Sequence, residues 1–69
     1  METATHKITA LIPCFNEENG IESVIKSFPH ERLRHHGYEL EIVVIDNNST
    51  DRTAAVARSL GATVIEESR

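Results

Sequence analysis

Two polar stretches hold the side chains able to do chemistry: "PCFNEENG" at residues 13–20 and "DNNSTDRT" at residues 46–53. The first sets an aromatic ring, Phe15, beside an amide and two carboxylates, Asn16, Glu17 and Glu18. The second sets Asp46, Asn47 and Asp51 among hydroxyls. A ring of this kind can stack on a base, and a nearby carboxylate or amide can hydrogen-bond a base edge or a ribose hydroxyl. Other chemistries fit less well. Cys14 is the single cysteine, and nothing near it argues for a lowered pKa, so it reads as a small filler at a strand end and not as a nucleophile. His30, His35 and His36 lack the paired spacing of a zinc site and read as a solvated connection.

The elements that must position these residues alternate between strand and helix. Lys7 to Ile12 is a short β-branched-rich run ended by Pro13, which cannot donate to a ladder. Ile21, Val24, Ile25 and Phe28 then fall on one helical face, predicting a helix that opens near Asn16 or Glu17 and closes at Pro29. "PHERLRHHG" is a polar connection with room for a helical turn, ended by Gly37. "YELEIVVID" leads into an unbroken apolar run from Ile42 to Ile45, the pattern of a strand covered on both faces in a parallel sheet. A second helix follows, capped by Ser49, Thr50 or Asp51, with Thr53, Val56, Ala57 and Leu60 as its buried stripe and Gly61 as its stop. "ATVIE" reads as a third strand. The expected fold is therefore α/β, a β-α-β-α-β unit with right-handed crossovers and a parallel sheet. In open sheets of this kind ligands bind at the carboxyl ends of the strands. Both polar stretches fall there. Adjacent parallel strands would set them side by side, with the helix behind the first loop supplying backbone N–H groups.

Composition narrows the function classes. At 69 residues the chain is one compact unit that buries roughly 60% of its unfolded surface, which leaves little stability to spare. Its 39% hydrophobic and 26% charged content are ordinary for a globular chain. Eleven acids against seven bases give a charge of −4, which argues against a nucleic-acid or anionic-membrane surface. A single cysteine makes no internal disulfide, and no apolar run approaches the roughly 20 residues of a membrane span, so a cytoplasmic setting is expected. A three-stranded sheet has two open edges that would favour self-association, and its faces are only partly covered by two helices. Residues 1–69 are therefore expected to be the N-terminal portion of a single larger domain, truncated after its third strand.

"IPCFNEENGIESVIKSF" followed by "YELEIVVIDNNSTDRTAAVARSLGATVI" resembles the opening of a family 2 glycosyltransferase of the GT-A fold, of the dolichyl-phosphate mannosyltransferase-like sort. The resemblance runs from Ile8 to about Ile65, and it is the pair of motifs at this separation that carries it. It implies the nucleotide-binding half of a Rossmann-like GT-A domain, whose partner is a nucleoside diphosphate sugar and whose reaction passes the sugar to an acceptor hydroxyl or phosphate. Carried over by position, Pro13, Phe15 and Glu17 match the proline, aromatic and acid that line the base and ribose pocket. Ile45 and Asn47 match second-strand residues that touch the base, and Asp46 matches the first acid of a frequent Asp-Asp pair. Two departures stand out. Phe15 replaces the usual tyrosine, so stacking survives without a hydroxyl contact. Asn47 replaces a frequent aspartate and can donate as well as accept, which leaves uridine, guanosine and other nucleotides open. The resemblance also implies a divalent cation, Mg²⁺ or Mn²⁺, on an Asp-x-Asp motif that neutralises the diphosphate leaving group. No Asp-x-Asp occurs in the chain, so the metal ligands and catalytic groups, like any membrane contact, are expected beyond Arg69, and the isolated segment is not expected to turn over.

Plainer readings stand beside these. Glu17 and Glu18 in a first helical turn favour the positive end of the macrodipole, by about 0.3–1 kcal/mol. Thr50 and Asp51 read as caps, and Asp46 reads equally as a pocket residue or an Asx-turn former. Two other functions compete: a non-catalytic nucleotide-binding remnant or inert fragment, and another doubly wound domain. A dinucleotide-binding dehydrogenase is disfavoured because no Gly-x-Gly-x-x-Gly follows the first strand. A receiver-type signalling domain is disfavoured because Asn16, Glu17 and Asp46 fit its acid pattern poorly.

Overall fold

The computed structural model describes residues 6–67. Its elements are β1 (His6–Cys14), α1 (Ile21–Ser27), α2 (His30–His35), β2 (Tyr38–Asn47), α3 (Thr53–Ser59) and β3 (Thr63–Glu67). The three strands form one parallel sheet in the order β1-β2-β3, so the most apolar strand takes the centre. The expected α/β architecture is the one observed.

Side chains on a strand alternate between faces, and the register converts that alternation into rows. Ile12, Val44 and Val64 stand in one row across the sheet. They face the core that Ile21 and Ile25 of α1 and Ala57 of α3 complete, where Ile21, Val44 and Ala57 are 1%, 0% and 0% exposed. The neighbouring rows, Leu11–Val43–Thr63 and Pro13–Ile45–Ile65, point to the opposite face. There Leu11 and Ile65 remain largely exposed while Val43, in the central strand, is buried. β1 and β3 are the edges of the sheet.

The helices differ from expectation in three ways. α1 starts at Ile21, not at Asn16 or Glu17. Asn16 takes a left-handed backbone, φ 51°, which a right-handed helix cannot contain. The next residues close a tight turn, with the N–H groups of Gly20 and Ile21 both donating to the Glu17 carbonyl at 2.9 and 2.8 Å. Because the helix is short, its buried stripe narrows to Ile21 and Ile25, with Phe28 half-buried, and Val24 is left exposed. The polar connection after Pro29 is a full short helix, α2, whose Leu33 is its one half-buried residue. Gly37 and Gly61 follow α2 and α3 at φ 86° and 90°, the left-handed stops that glycine takes at least cost. The stripe of α3 is as expected: Thr53 and Ala57 are fully buried, and Val56 and Leu60 are half-buried. Among the described residues no helix is long and apolar enough to cross a membrane.

Candidate functional site

The parallel register pairs Pro13 with Ile45 and Cys14 with Asp46. Phe15 and Asn47 therefore each stand one step beyond a paired position, at the same carboxyl-terminal rim of the sheet. Asn47 is in turn paired with Glu67 on β3. The two polar loops that leave this rim are hydrogen-bonded to each other. Asn16 N–H donates to Ser49 Oγ at 2.8 Å, Glu17 N–H to Thr53 Oγ1 at 2.8 Å and Glu18 N–H to Asp51 Oδ2 at 3.2 Å. The second loop answers through Thr50 N–H to Asn16 Oδ1 at 2.9 Å and Arg52 N–H to Glu18 Oε1 at 3.0 Å. Three successive amides of the first loop are thus taken up by side chains of the second. They are not free donors for a ligand, contrary to the expectation drawn from a helix starting there.

Two of these bonds continue into a carboxylate. The Ser49 hydroxyl donates to Asp46 Oδ1, and the Thr53 hydroxyl donates to Asp51 Oδ1. A hydroxyl has one proton. Since each of these receives a backbone N–H, its own proton must go to the carboxylate, so both proton directions are fixed. Asp51 is then fully engaged: Oδ1 also takes the Thr53 N–H at 3.0 Å, and Oδ2 takes the Glu18 N–H. The Thr53 hydroxyl above all, with the backbone N–H groups of Thr53 and Glu18 behind it, outweighs a desolvation that acts the other way and holds the Asp51 carboxyl below the usual carboxylate range. The N-cap of α3 is Arg52, without a side-chain cap hydrogen bond, so none of Ser49, Thr50 and Asp51 takes the cap position foreseen for them; Asp51, one residue earlier, accepts the N–H of Thr53, the first residue of the helix.

Asp46 is different. It is 4% exposed, and its Oδ1 takes the Ser49 hydroxyl and, at 3.3 Å, the Ser49 N–H. Its Oδ2 accepts no hydrogen bond from the described residues, yet none of their buried side-chain polar atoms lacks a partner, so this oxygen reaches solvent. Among the other residues foreseen for the site, Phe15 is 58% exposed, Pro13, Glu17 and Asn47 are exposed, and Ile45 is half-buried. The arrangement offers an open ring, an open amide and one free carboxylate oxygen at a rim whose backbone is already fixed. Cys14 is buried beneath them. Desolvation first, then the charges of Glu17 and Asp46, push its thiol up from the ordinary value, which agrees with a filler and not with a nucleophile.

Among the described residues no group of three or more His, Cys, Asp or Glu side chains is placed to hold a metal ion. Of the two aspartates, Asp51 has both oxygens and Asp46 one oxygen already engaged by hydrogen bonds. Ser49 was expected as a cap, Thr53 as core and Asn16 as a helix start, and all three join the two loops. Their signal lay in the loop composition. Asn at a left-handed position and Ser or Thr near an Asp are loop-forming chemistry, and Asn16 and Asn48 indeed have φ of 51° and 59°.

A parallel α/β sheet whose first two strands end in hydrogen-bonded polar loops, matching the opening of a Rossmann-like GT-A domain, defines the class. The family model for glycosyl transferase family 2 matches residues 9–69. The chain belongs to that family. It is similar to an uncharacterized glycosyltransferase of Mycobacterium bovis, 42% identical over 62 residues that cover 90% of this chain and 25% of the relative. It is also similar to the protein RfbJ of Shigella flexneri, 46% identical over 57 residues covering 83% of this chain and 40% of RfbJ. A third relative is the 4,4'-diaponeurosporenoate glycosyltransferase of Staphylococcus haemolyticus, 38% identical over 60 residues covering 87% of this chain and 15% of that enzyme. The chain therefore spans between about a seventh and two-fifths of the length of these relatives. No solved structure matches the chain at the same stringency.

Proposed function

We propose that residues 1–69 form the donor-nucleotide half of a longer glycosyltransferase that passes a sugar from a nucleoside diphosphate sugar to an acceptor hydroxyl or phosphate. In this reading Phe15 stacks on the base. Asp46, through Oδ2, and Asn47 hydrogen-bond the base edge or ribose, Glu17 adds a carboxylate at the rim, and Pro13 and Ile45 shape the floor between them. The divalent cation and the groups that move the sugar belong to residues outside this chain, as does the choice of acceptor that makes a member dolichyl-phosphate mannosyltransferase-like. The observation that supports the reading best is the stitching of the two strand-end loops at the rim where Phe15, exposed, follows the Cys14↔Asp46 pair and Asp46 keeps one oxygen free. A loop needed only to connect strand and helix has no use for an exposed aromatic at that point.

Titration of the chain with UDP and GDP, with and without Mg²⁺ or Mn²⁺, tests this. Binding is expected to be weak and indifferent to metal. Phe15→Ala is expected to weaken it about 5- to 150-fold, the range that loss of one base–aromatic stack gives. No binding of either nucleotide, or equal binding by Phe15→Ala, overturns the reading. Tight, metal-dependent binding overturns the placement of the cation site outside the chain.

A further inference from the structure

We infer that Ser49 is a positioning residue of the nucleotide crevice, an inference that rests on the reading above. Among the described residues its hydroxyl is the one side-chain group hydrogen-bonded both to the acid proposed to meet the ligand and to the loop that carries the aromatic ring. It accepts the Asn16 N–H at 2.8 Å, one residue beyond Phe15, and donates to Oδ1 of Asp46. Its backbone N–H adds a second bond to the same oxygen at 3.3 Å. Both bonds fall on Oδ1. The carboxylate is thereby fixed in rotation about its side chain with Oδ2 left free, and the Phe15 loop is held at a set distance from it.

The alternative, that Ser49 merely closes a turn, leaves the link to Asn16 without purpose, because the turn closes locally through Asn48 N–H to the Asp46 carbonyl at 3.0 Å. Thr53 supplies the contrast. It makes the same kind of relay from Glu17 N–H to Asp51, but it is fully buried at the head of α3, and its carboxylate has no free oxygen to present. One relay holds the fold together. The other holds a group whose free side faces solvent.

The test measures UDP affinity of the full chain by isothermal titration and amide shifts for Ser49→Ala, Ser49→Thr, Asp46→Ala and the double variant Asp46→Ala with Ser49→Ala. Ser49→Ala is expected to weaken UDP binding about tenfold, the effect of losing one hydrogen bond to a charged group. Ser49→Thr, which keeps the hydroxyl, is expected to restore most of it. In the Asp46→Ala background the Ser49 change is expected to add little, since its effect passes through Asp46, whereas independent structural damage would multiply. Wild-type affinity in Ser49→Ala, or full multiplication in the double variant, overturns the positioning role while leaving nucleotide binding intact. Absence of UDP and GDP binding by the unaltered chain overturns the nucleotide reading and this role with it.

Discussion

Asp46, near the end of β2, and Asp51, in the loop that follows, each receive the proton of a hydroxyl that itself accepts an amide N–H of the first loop. They nevertheless end in opposite states. Asp51, half-buried, has both oxygens engaged by Thr53 and Glu18. Asp46 is 4% exposed and has one oxygen engaged and one open. A carboxylate that is saturated by its own chain has nothing left to offer a ligand. One that is held by one oxygen alone is oriented and still available. Burial alone would have ranked them the wrong way for structural work; the hydrogen-bond partners decide.

The largest effect that can break this contrast comes from the structural side. Thr53→Val keeps shape and burial but removes the hydroxyl, leaving the Glu17 N–H without its partner and Asp51 without its hydroxyl donor. The loss of a buried hydrogen bond that strands its partners costs about 1–3 kcal/mol. At about 4–8 °C per kcal/mol for a domain of this size, thermal unfolding followed by circular dichroism should show a clear drop in midpoint. Thr53→Ser, which keeps the hydroxyl, should fall much less. An unchanged midpoint in Thr53→Val would mean that the Asp51 relay does not hold the loops together.

That relay marks the limit of what was legible in the chain. The sheet was readable because Ile42 to Ile45 forms an apolar run that only a central strand can bury, and the strand-end position of both loops followed from parallel topology. The family motifs brought Phe15 and Asn47 to one rim, and the register Cys14↔Asp46 places them there. The start of α1 was not readable. Asn16, Glu17 and Glu18 look like the first turn of a helix, acids included, and only bonds to Ser49, Thr53 and Asp51, more than thirty residues away in sequence, pull them out of it. For the same reason Val24, which fits the apolar period, points outward from a helix too short to use it. Local propensity yielded to a tertiary contact that no local window contains. The two aspartates could not be told apart at that level, because the distinction lies in the partners of each oxygen.

A smaller effect sharpens the contrast from the ligand side. Asp46→Asn keeps the oxygen that Ser49 bonds but removes the negative charge, so the thermal midpoint should stay near that of the unaltered chain. Affinity for UDP should fall about tenfold, as for loss of a charge-assisted bond. The same exchange at Asp51 should do the reverse, lowering the midpoint and sparing affinity until the loop itself opens. If both exchanges act alike, the division of labour between the acids is wrong.

The smallest expected effect is a pH dependence, and its sign follows from Asp51. Hydrogen bonds from Thr53 and Glu18 favour the ionised carboxylate, so its pKa in the folded chain lies below the ordinary value. A group depressed in this way binds its proton more readily when the chain is unfolded, so folding stability rises with pH across the interval between the two values. The contribution is complete above the unfolded carboxylate pKa of about 3.9. It is lost as the pH falls from there through the lower folded value. Cys14 acts at the other end of the scale and does not blur this window, because its raised pKa keeps the thiol neutral throughout acid and neutral conditions. Thermal midpoints taken from neutral to acid pH should therefore hold steady and then decline below about pH 4. Thr53→Val, which removes the foremost cause of the Asp51 shift, should flatten that decline relative to its own neutral value. An equally steep decline in the variant would place the acid sensitivity in other carboxylates and dissolve the distinction between a structural and an available aspartate.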